Sequence, residues 1–296
     1  MIKKPETPMA DVSFVGLGNM GLALARTAAL ADLDVVVWNR TAAKADPLRP
    51  LGVLCAATAA EAVAASPVTV VCVYDYEAAN AILMHEDCIA ALTGRVLVQL
   101  TTATPRAARA MHDWAQQSHI AYLDGELIAY PSDIGGDDAR IIVAGDETAL
   151  RTASPVLDRL APEIEYLGAD PSRAAALNLA ICSASLGRII GTLNAAAICE
   201  AAHIPLERFA KTMDQDAQQE SRALAESLKK IESGNLDTAE ASIEVWAALP
   251  QAMTEFAQDT GYSPDVSEFM RQLFDRAVRR GLGEHDVGAL IKVLRP

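Results

Sequence analysis

Basic charge is in short supply in this 296-residue chain: 25 lysines and arginines stand against 39 aspartates and glutamates, a formal net charge of −14. Such a surface repels phosphate backbones and anionic headgroups, which argues against nucleic acid or a membrane surface as partner and mildly favours cationic small molecules. Cysteine is scarce. Cys55, Cys72, Cys88, Cys182 and Cys199 form an odd set without a CxxC pair, mostly in apolar runs, so buried free thiols in a reducing compartment are expected. The five histidines (His85, His112, His119, His203, His285) are scattered without ligand spacing, so no metal site is expected. The start, Met1-Ile-Lys-Lys-Pro-Glu-Thr-Pro8, lacks an apolar signal core and reads as a short loose tail, with a cytoplasmic location following by default.

What is present begins with a glycine-rich turn close to the start of the chain. The apolar run Asp11-Val-Ser-Phe-Val15 leads into Gly16-Leu17-Gly18-Asn19-Met20-Gly21 and then an Ala/Leu-rich stretch of helical period through Leu30. Strand, glycine turn and helix in this order place a helix N-terminus against a pyrophosphate. A second apolar run, Asp34 to Trp38, ends in Asn39-Arg40-Thr41, where an NAD-specific site carries Asp or Glu for the ribose hydroxyls. A carboxylate roughly 5 Å from a 2′-phosphate would cost about 3 kcal/mol at an effective dielectric of about 20. Its absence, with Asn39, Arg40 and Thr41 as donors and Lys44 four residues past Arg40, predicts NADPH as the cofactor. The competing reading makes Arg40 and Lys44 a solvated surface pair.

The length suits two domains. Pro67–Tyr74, Arg95–Thr101 and Ala139–Ala144 read as further buried strands with helical patterns between them, which implies a right-handed, doubly wound α/β sheet. Ligands lie at strand C-termini in such sheets, so Gly16 to Gly21, Asn39 to Thr41, Val73-Tyr74-Asp75 and Thr101-Thr102 are expected around one dinucleotide. Tyr74 either covers a ring or simply ends a strand.

Strand signals stop after Leu167-Gly168. The expected division is a Rossmann domain over 1–168 and an all-helical substrate and dimerisation domain over 169–296, opening with a helix from about Arg173 to Ala202. At 1.5 Å per residue this helix spans roughly 45 Å, long for a domain of about 130 residues with a radius of gyration near 14 Å. It is apolar or small on nearly every face, so something must cover it. A transmembrane span is disfavoured by Asn178, Arg188 and Asn194 and by the lack of a basic flank. A second copy of the chain satisfies both length and hydrophobicity, and a homodimer is expected. Later helices are expected over Glu220–Glu232, Ala239–Asp259 with a break at Pro250, Phe269–Val278 and Asp286–Leu294, with a turn at Tyr262-Ser-Pro-Asp265.

Together these segments resemble the NADPH-dependent imine reductases, relatives of the β-hydroxyacid dehydrogenases. The resemblance lies in Gly16-Leu-Gly-Asn-Met-Gly21, Trp38-Asn-Arg-Thr41, Gln99-Leu-Thr-Thr-Ala-Thr-Pro105, Tyr122-Leu-Asp-Gly125 through Pro131 to Gly135, Leu273-Phe-Asp-Arg-Ala-Val278 and Val293-Leu-Arg295. It implies a Rossmann domain, a long inter-domain helix and a reciprocal helical dimer, with the cleft between one subunit's cofactor and its partner's helices. The β-hydroxyacid dehydrogenases carry a lysine in the first turns of the long helix, and this chain has none between Lys44 and Lys211. Ketone reduction builds negative charge on oxygen and gains about 10²–10⁴-fold from a positioned acid. An iminium ion becomes neutral as hydride arrives and does not need one.

The resemblance places Asp or Tyr where this chain has Asn178, a departure that removes the proton donor. Asn178 is the expected catalytic and substrate-orienting residue, against the alternative that it only caps a buried polar group. Trp246 is a second expected substrate contact, by stacking on a cationic or cyclic substrate, against ordinary packing. The leading expectation is an oxidoreductase transferring hydride from NADPH to the carbon of a cyclic imine or iminium. A β-hydroxyacid dehydrogenase variant and a non-catalytic NADPH-binding protein are the alternatives.

Overall fold

A computed structural model of the chain describes residues 10–237 and 240–296. The expected loose tail and Ala239, the expected start of a helix, lie outside the described residues. The chain divides into two compact units, ending at Cys182 and beginning at Ser183.

The first unit is built on an eight-stranded sheet in the order β3-β2-β1-β4-β5-β6-β7-β8. Its strands are β1 (Val12–Val15), β2 (Val35–Trp38), β3 (Leu54–Cys55), β4 (Val68–Val71), β5 (Val96–Gln99), β6 (Ala121–Ile128), β7 (Arg140–Gly145) and β8 (Glu163–Tyr166). The helices are α1 (Asn19–Leu30), α2 (Ala59–Ala64), α3 (Tyr76–Leu83), α4 (Glu86–Leu92), α5 (Pro105–Gln117) and α6 (Glu147–Leu160). The runs VVVW, VTVV and VLVQ supply the β-branched, doubly buried strands that a parallel sheet covered on both faces requires. Phe14, Leu24, Val37 and Leu157 pack on one face, and Val15, Leu83, Leu97 and Met111 on the other, so the sheet is doubly wound as expected. Trp38, Val15, Val71, Gln99 and Asp124 stand in register across five adjacent strands. That register brings the loops after β1, β2, β4 and β5 side by side.

Two departures from the sequence expectation matter. After β2 the chain forms a 3-10 segment, Ala42–Leu51, because Pro47 and Pro50 remove the amide donors of an α-helix. Strand β6 escaped the apolar-run criterion because Asp124, Gly125 and Glu126 interrupt it, yet both acids are buried, 1% and 2% exposed. It pairs antiparallel with β7, whereas the other strand pairs are parallel.

Helix α7 runs Ser172–Ala201, shifted by one residue from expectation, and is followed by α8 (Leu206–Ser233), α9 (Ile243–Thr260), α10 (Asp265–Arg279), a 3-10 turn (Val287–Leu290) and α11 (Ile291–Leu294). The break expected at Pro250 does not occur: α9 continues through it with Pro250 buried. The helix is held at its start instead, where Ile243 and Glu244 donate their amides to the carbonyls of His285 and Gly283. The second unit's core is Leu236, Ile243, Ala277, Leu282, Ala289 and Val293. Lys230 meets Asp286 at 2.7 Å, and Asp286 caps the 3-10 turn through the Gly288 amide. In the single chain α7 leaves Leu186, Ile189, Ile190 and Leu193 exposed, and it is long and apolar enough to cross a membrane by length and composition. Not every cysteine is a buried thiol: Cys182, on α7, is exposed.

Candidate active site

The glycine turn is dictated by crowding. Gly16 has φ +99°, and a Cβ there would lie 2.3 Å from the Cys72 carbonyl oxygen; one at Gly21 would lie 2.1 Å from the Gly16 oxygen. Side chains at either position would push the loop off the sheet or α1 off the loop. Gly18, by contrast, faces open space and is the N-cap of α1 with no side chain occupying the free amides. An uncapped helix start beside open space fits a pyrophosphate.

A cavity of about 720 Å³ opens there, lined by Gly16, Gly18, Asn19, Met20, Gly21, Trp38, Asn39, Arg40, Thr41, Lys44, Val73 and Tyr74 among others. Most of the expected cofactor residues thus converge on one space. Arg40 and Lys44 stand on its rim at the end of β2, where a 2′-phosphate lies in this class of sheet. The remaining expected residues act at one remove. Leu17 is buried and its amide donates to Asn39 Oδ1 at 2.9 Å, while Asn39 Nδ2 donates to the Thr41 carbonyl at 3.0 Å. The Asn39 side chain thus ties the glycine turn to the end of β2 while the residue lines the cavity. Thr101 likewise receives the Val73 amide on its hydroxyl at 3.1 Å, tying β4 to β5, and Thr102 is exposed beside it. Tyr74 is 94% exposed, which leaves its ring free to cover a bound group.

Asn178 is buried, 6% exposed, on the second turn of α7. Its Nδ2 donates to Glu126 Oε2 at 2.8 Å, and its Oδ1 takes the Cys182 thiol at 3.6 Å. Glu126 Oε1 accepts the Ala103 amide at 3.3 Å. Burial pushes the Glu126 carboxyl up to about 8, with the Ala103 bond opposing and the nearby Asp124 adding to the rise. Asp124, two residues back on the same face of β6, accepts the hydroxyls of Tyr76 and Tyr122, the latter at 2.9 Å. Burial raises it to about 7 against those two bonds, and both tyrosines are raised in turn, chiefly by burial. Asp124 Oδ2 and both amide atoms of Gln99, its register partner, are without hydrogen bonds among the described residues.

The sequence marks Asn178 but not the acid beside it, because that acid lies on a different element. Glu126 comes from β6, fifty-two residues away in sequence. The signal was in plain view: two acids at i and i+2 flank Gly125 within a motif already singled out, and period-two spacing puts both on one face of a strand. Trp246 stands in the first turn of α9, 42% exposed.

Comparison with known proteins agrees with this geometry. Residues 11–168 match the NAD binding domain of 6-phosphogluconate dehydrogenase, and residues 170–296 match the C-terminal domain of NADPH-dependent reductive aminase-like proteins. The imine reductase from Myxococcus stipitatus, solved in complex with NADP+, is 31% identical with a TM-score of 0.92, over 96% of this chain and 100% of that one. The chain belongs to the imine reductase and reductive aminase family. A reductive aminase from Aspergillus terreus, solved with NADPH4, cyclohexanone and allyl amine, is 30% identical with a TM-score of 0.88, over 97% and 100% of the two chains. The NADPH-dependent reductive aminase of Aspergillus oryzae is 26% identical over 96% of this chain and 97% of its own length. The enzyme is therefore an NADPH-dependent oxidoreductase with a Rossmann-type N-terminal unit and a helical C-terminal one.

Proposed function

We propose that the enzyme reduces the C=N bond of a cyclic imine or iminium ion to an amine, with Asn178 orienting the substrate nitrogen. One observation carries this reading: where a hydroxyacid enzyme keeps a lysine, α7 presents an amide backed by the buried carboxyl of Glu126. A neutral amide with a carboxyl behind it suits a nitrogen that is, or becomes, cationic. An anionic hydroxyacid would find no lysine on α7 to pair with. When bound, NADPH supplies the hydride. The chain's own groups do the rest: the free amides at Gly18 to Gly21 hold the pyrophosphate, Arg40 and Lys44 pair with the 2′-phosphate, Tyr74 covers a ring, and Trp246 stacks on the substrate.

The working division is a cofactor domain over 1–168 and a substrate and dimerisation domain over 169–296. Two copies pair through α7, whose exposed Leu186, Ile189, Ile190 and Leu193 would otherwise face water. The free cysteines suit a reducing, cytoplasmic setting. The test follows NADPH absorbance with a panel of small cyclic imines, set against NADP+ reduction with a panel of 3-hydroxyacids. Turnover confined to the imines supports the reading, and turnover confined to the hydroxyacids removes it.

A further inference from the structure

We propose that Glu126 is the positioning residue that sets which end of the Asn178 amide faces outward, and so selects between a cationic C=N substrate and a neutral acceptor such as a carbonyl. The inference rests on the function proposed above and deepens it.

The argument is one of donors and acceptors. Glu126 Oε1 is committed as an acceptor by the Ala103 amide at 3.3 Å. A proton on this carboxyl therefore resides on Oε2, the oxygen that lies 2.8 Å from the Asn178 amide. An ionised Oε2 only accepts, so Asn178 must turn Nδ2 inward and present Oδ1 on the side of Cys182, as in the structure. A protonated Oε2 donates, so the amide satisfies it by rotating half a turn, with Oδ1 inward and Nδ2 outward. The two ends of an amide are nearly equal in size, so rotation exchanges a donor for an acceptor without repacking. An outward oxygen favours an iminium cation, whether or not it carries N–H. An outward NH2 favours a carbonyl oxygen or the lone pair of a neutral imine.

The groups around the switch come from five elements. Asp124 lies on β6, with Tyr76 of α3 and Tyr122 of β6 on its Oδ1. Gln99 of β5 is its register partner, the His112 ring of α5 lies 6.0 Å from that of Tyr122, and Cys182 of α7 touches Asn178. Burial and Asp124 place the Glu126 titration near 8, so both amide orientations are populated across the range in which an NADPH enzyme is assayed.

The test uses the intact protein and an N-methylated cyclic iminium salt, whose charge is fixed and whose own titration cannot confuse the result. For an acid titrating near 8, the ionised fraction, and with it kcat/KM, rises about tenfold between pH 7 and pH 9 in the wild type. In Glu126→Gln it stays within about twofold across that range. A flat wild-type profile, or a variant that keeps the wild-type slope, overturns the proposal. A second readout needs neither turnover nor a folded Glu126 variant. The side-chain amide resonance of Asn178 in 15N-asparagine-labelled protein, assigned by its loss in Asn178→Ala, moves with a midpoint near 8, and an unmoving resonance overturns the proposal. Failure to turn over any imine removes the proposed function and leaves the amide titration to decide the switch. Imine turnover with a motionless amide removes the switch alone.

Discussion

Replacing Glu126 with Gln should make the protein more stable at alkaline pH while leaving it nearly unchanged near pH 5. In the fold Glu126 keeps its proton up to about 8, against an ordinary 4.5, and it is 2% exposed, so solvent does little to relieve the burial. Between those two values the unfolded chain has released this proton and the folded one has not. The folded state then binds more protons, so stability falls as pH rises, by about 1.4 kcal/mol for each pH unit at full effect, and levels off above about 8. Allowing half or less for relaxation of the buried site, about 2 kcal/mol is lost between pH 5 and pH 8.5. That corresponds to about 5 °C in melting temperature for a protein of this size. Asp124, raised to about 7 from 3.8, contributes a similar slope that persists in the variant. The assay is thermal unfolding by circular dichroism across pH 5 to 8.5 without added cofactor, wild type beside Glu126→Gln. The two curves should diverge toward alkaline pH with the variant on top. Parallel curves would refute the buried, proton-holding Glu126 on which the site's description depends.

Other outcomes follow from the same geometry. Asn178→Ala should lower kcat/KM for a cyclic imine about tenfold or more, the loss of one well-placed hydrogen bond or dipole, with NADPH affinity unchanged; an unaffected rate retires its substrate role. Arg40→Ala should raise KM for NADPH about tenfold or more and leave NADH little changed, because only the 2′-phosphate loses a partner; equal losses with both cofactors would contradict the placement. Sedimentation should find a dimer at micromolar concentration and a monomer after Ile190→Lys, since a charge inside an apolar interface is left unpaired; a monomeric wild type would sink the dimer.

The cofactor half was legible because its chemistry is local. The Gly16 to Gly21 turn, helix α1 that follows it and the acid-free end of β2 are each specified by neighbours in sequence. Helix α7 was legible for a similar reason, since a thirty-residue stretch rich in Ala, Leu and Ile, with no proline and only scattered polar residues, has few alternatives to a helix. In the polar heart of the site Asn178 was legible, but its pairing with Glu126 was not. Glu126 reaches Asn178 only through strand pairing between β5, β6 and β7, and the acids that make β6 functional are the residues that hid it as a strand. Asn39 carries a second role that its position alone did not reveal. Its place at the end of β2 suggested a phosphate donor, and while it lines the cavity its amide also bonds Leu17 and Thr41.

The central claim is that this site handles a nitrogen cation without a dedicated acid. It is tested most directly by comparing kcat/KM with NADPH for a cyclic iminium salt and for the ketone of the same ring and substituents. The account predicts that the iminium exceeds the ketone by about 10²-fold or more, the order of magnitude a positioned acid contributes to carbonyl reduction. Equal rates for the two, or a faster ketone, would contradict it.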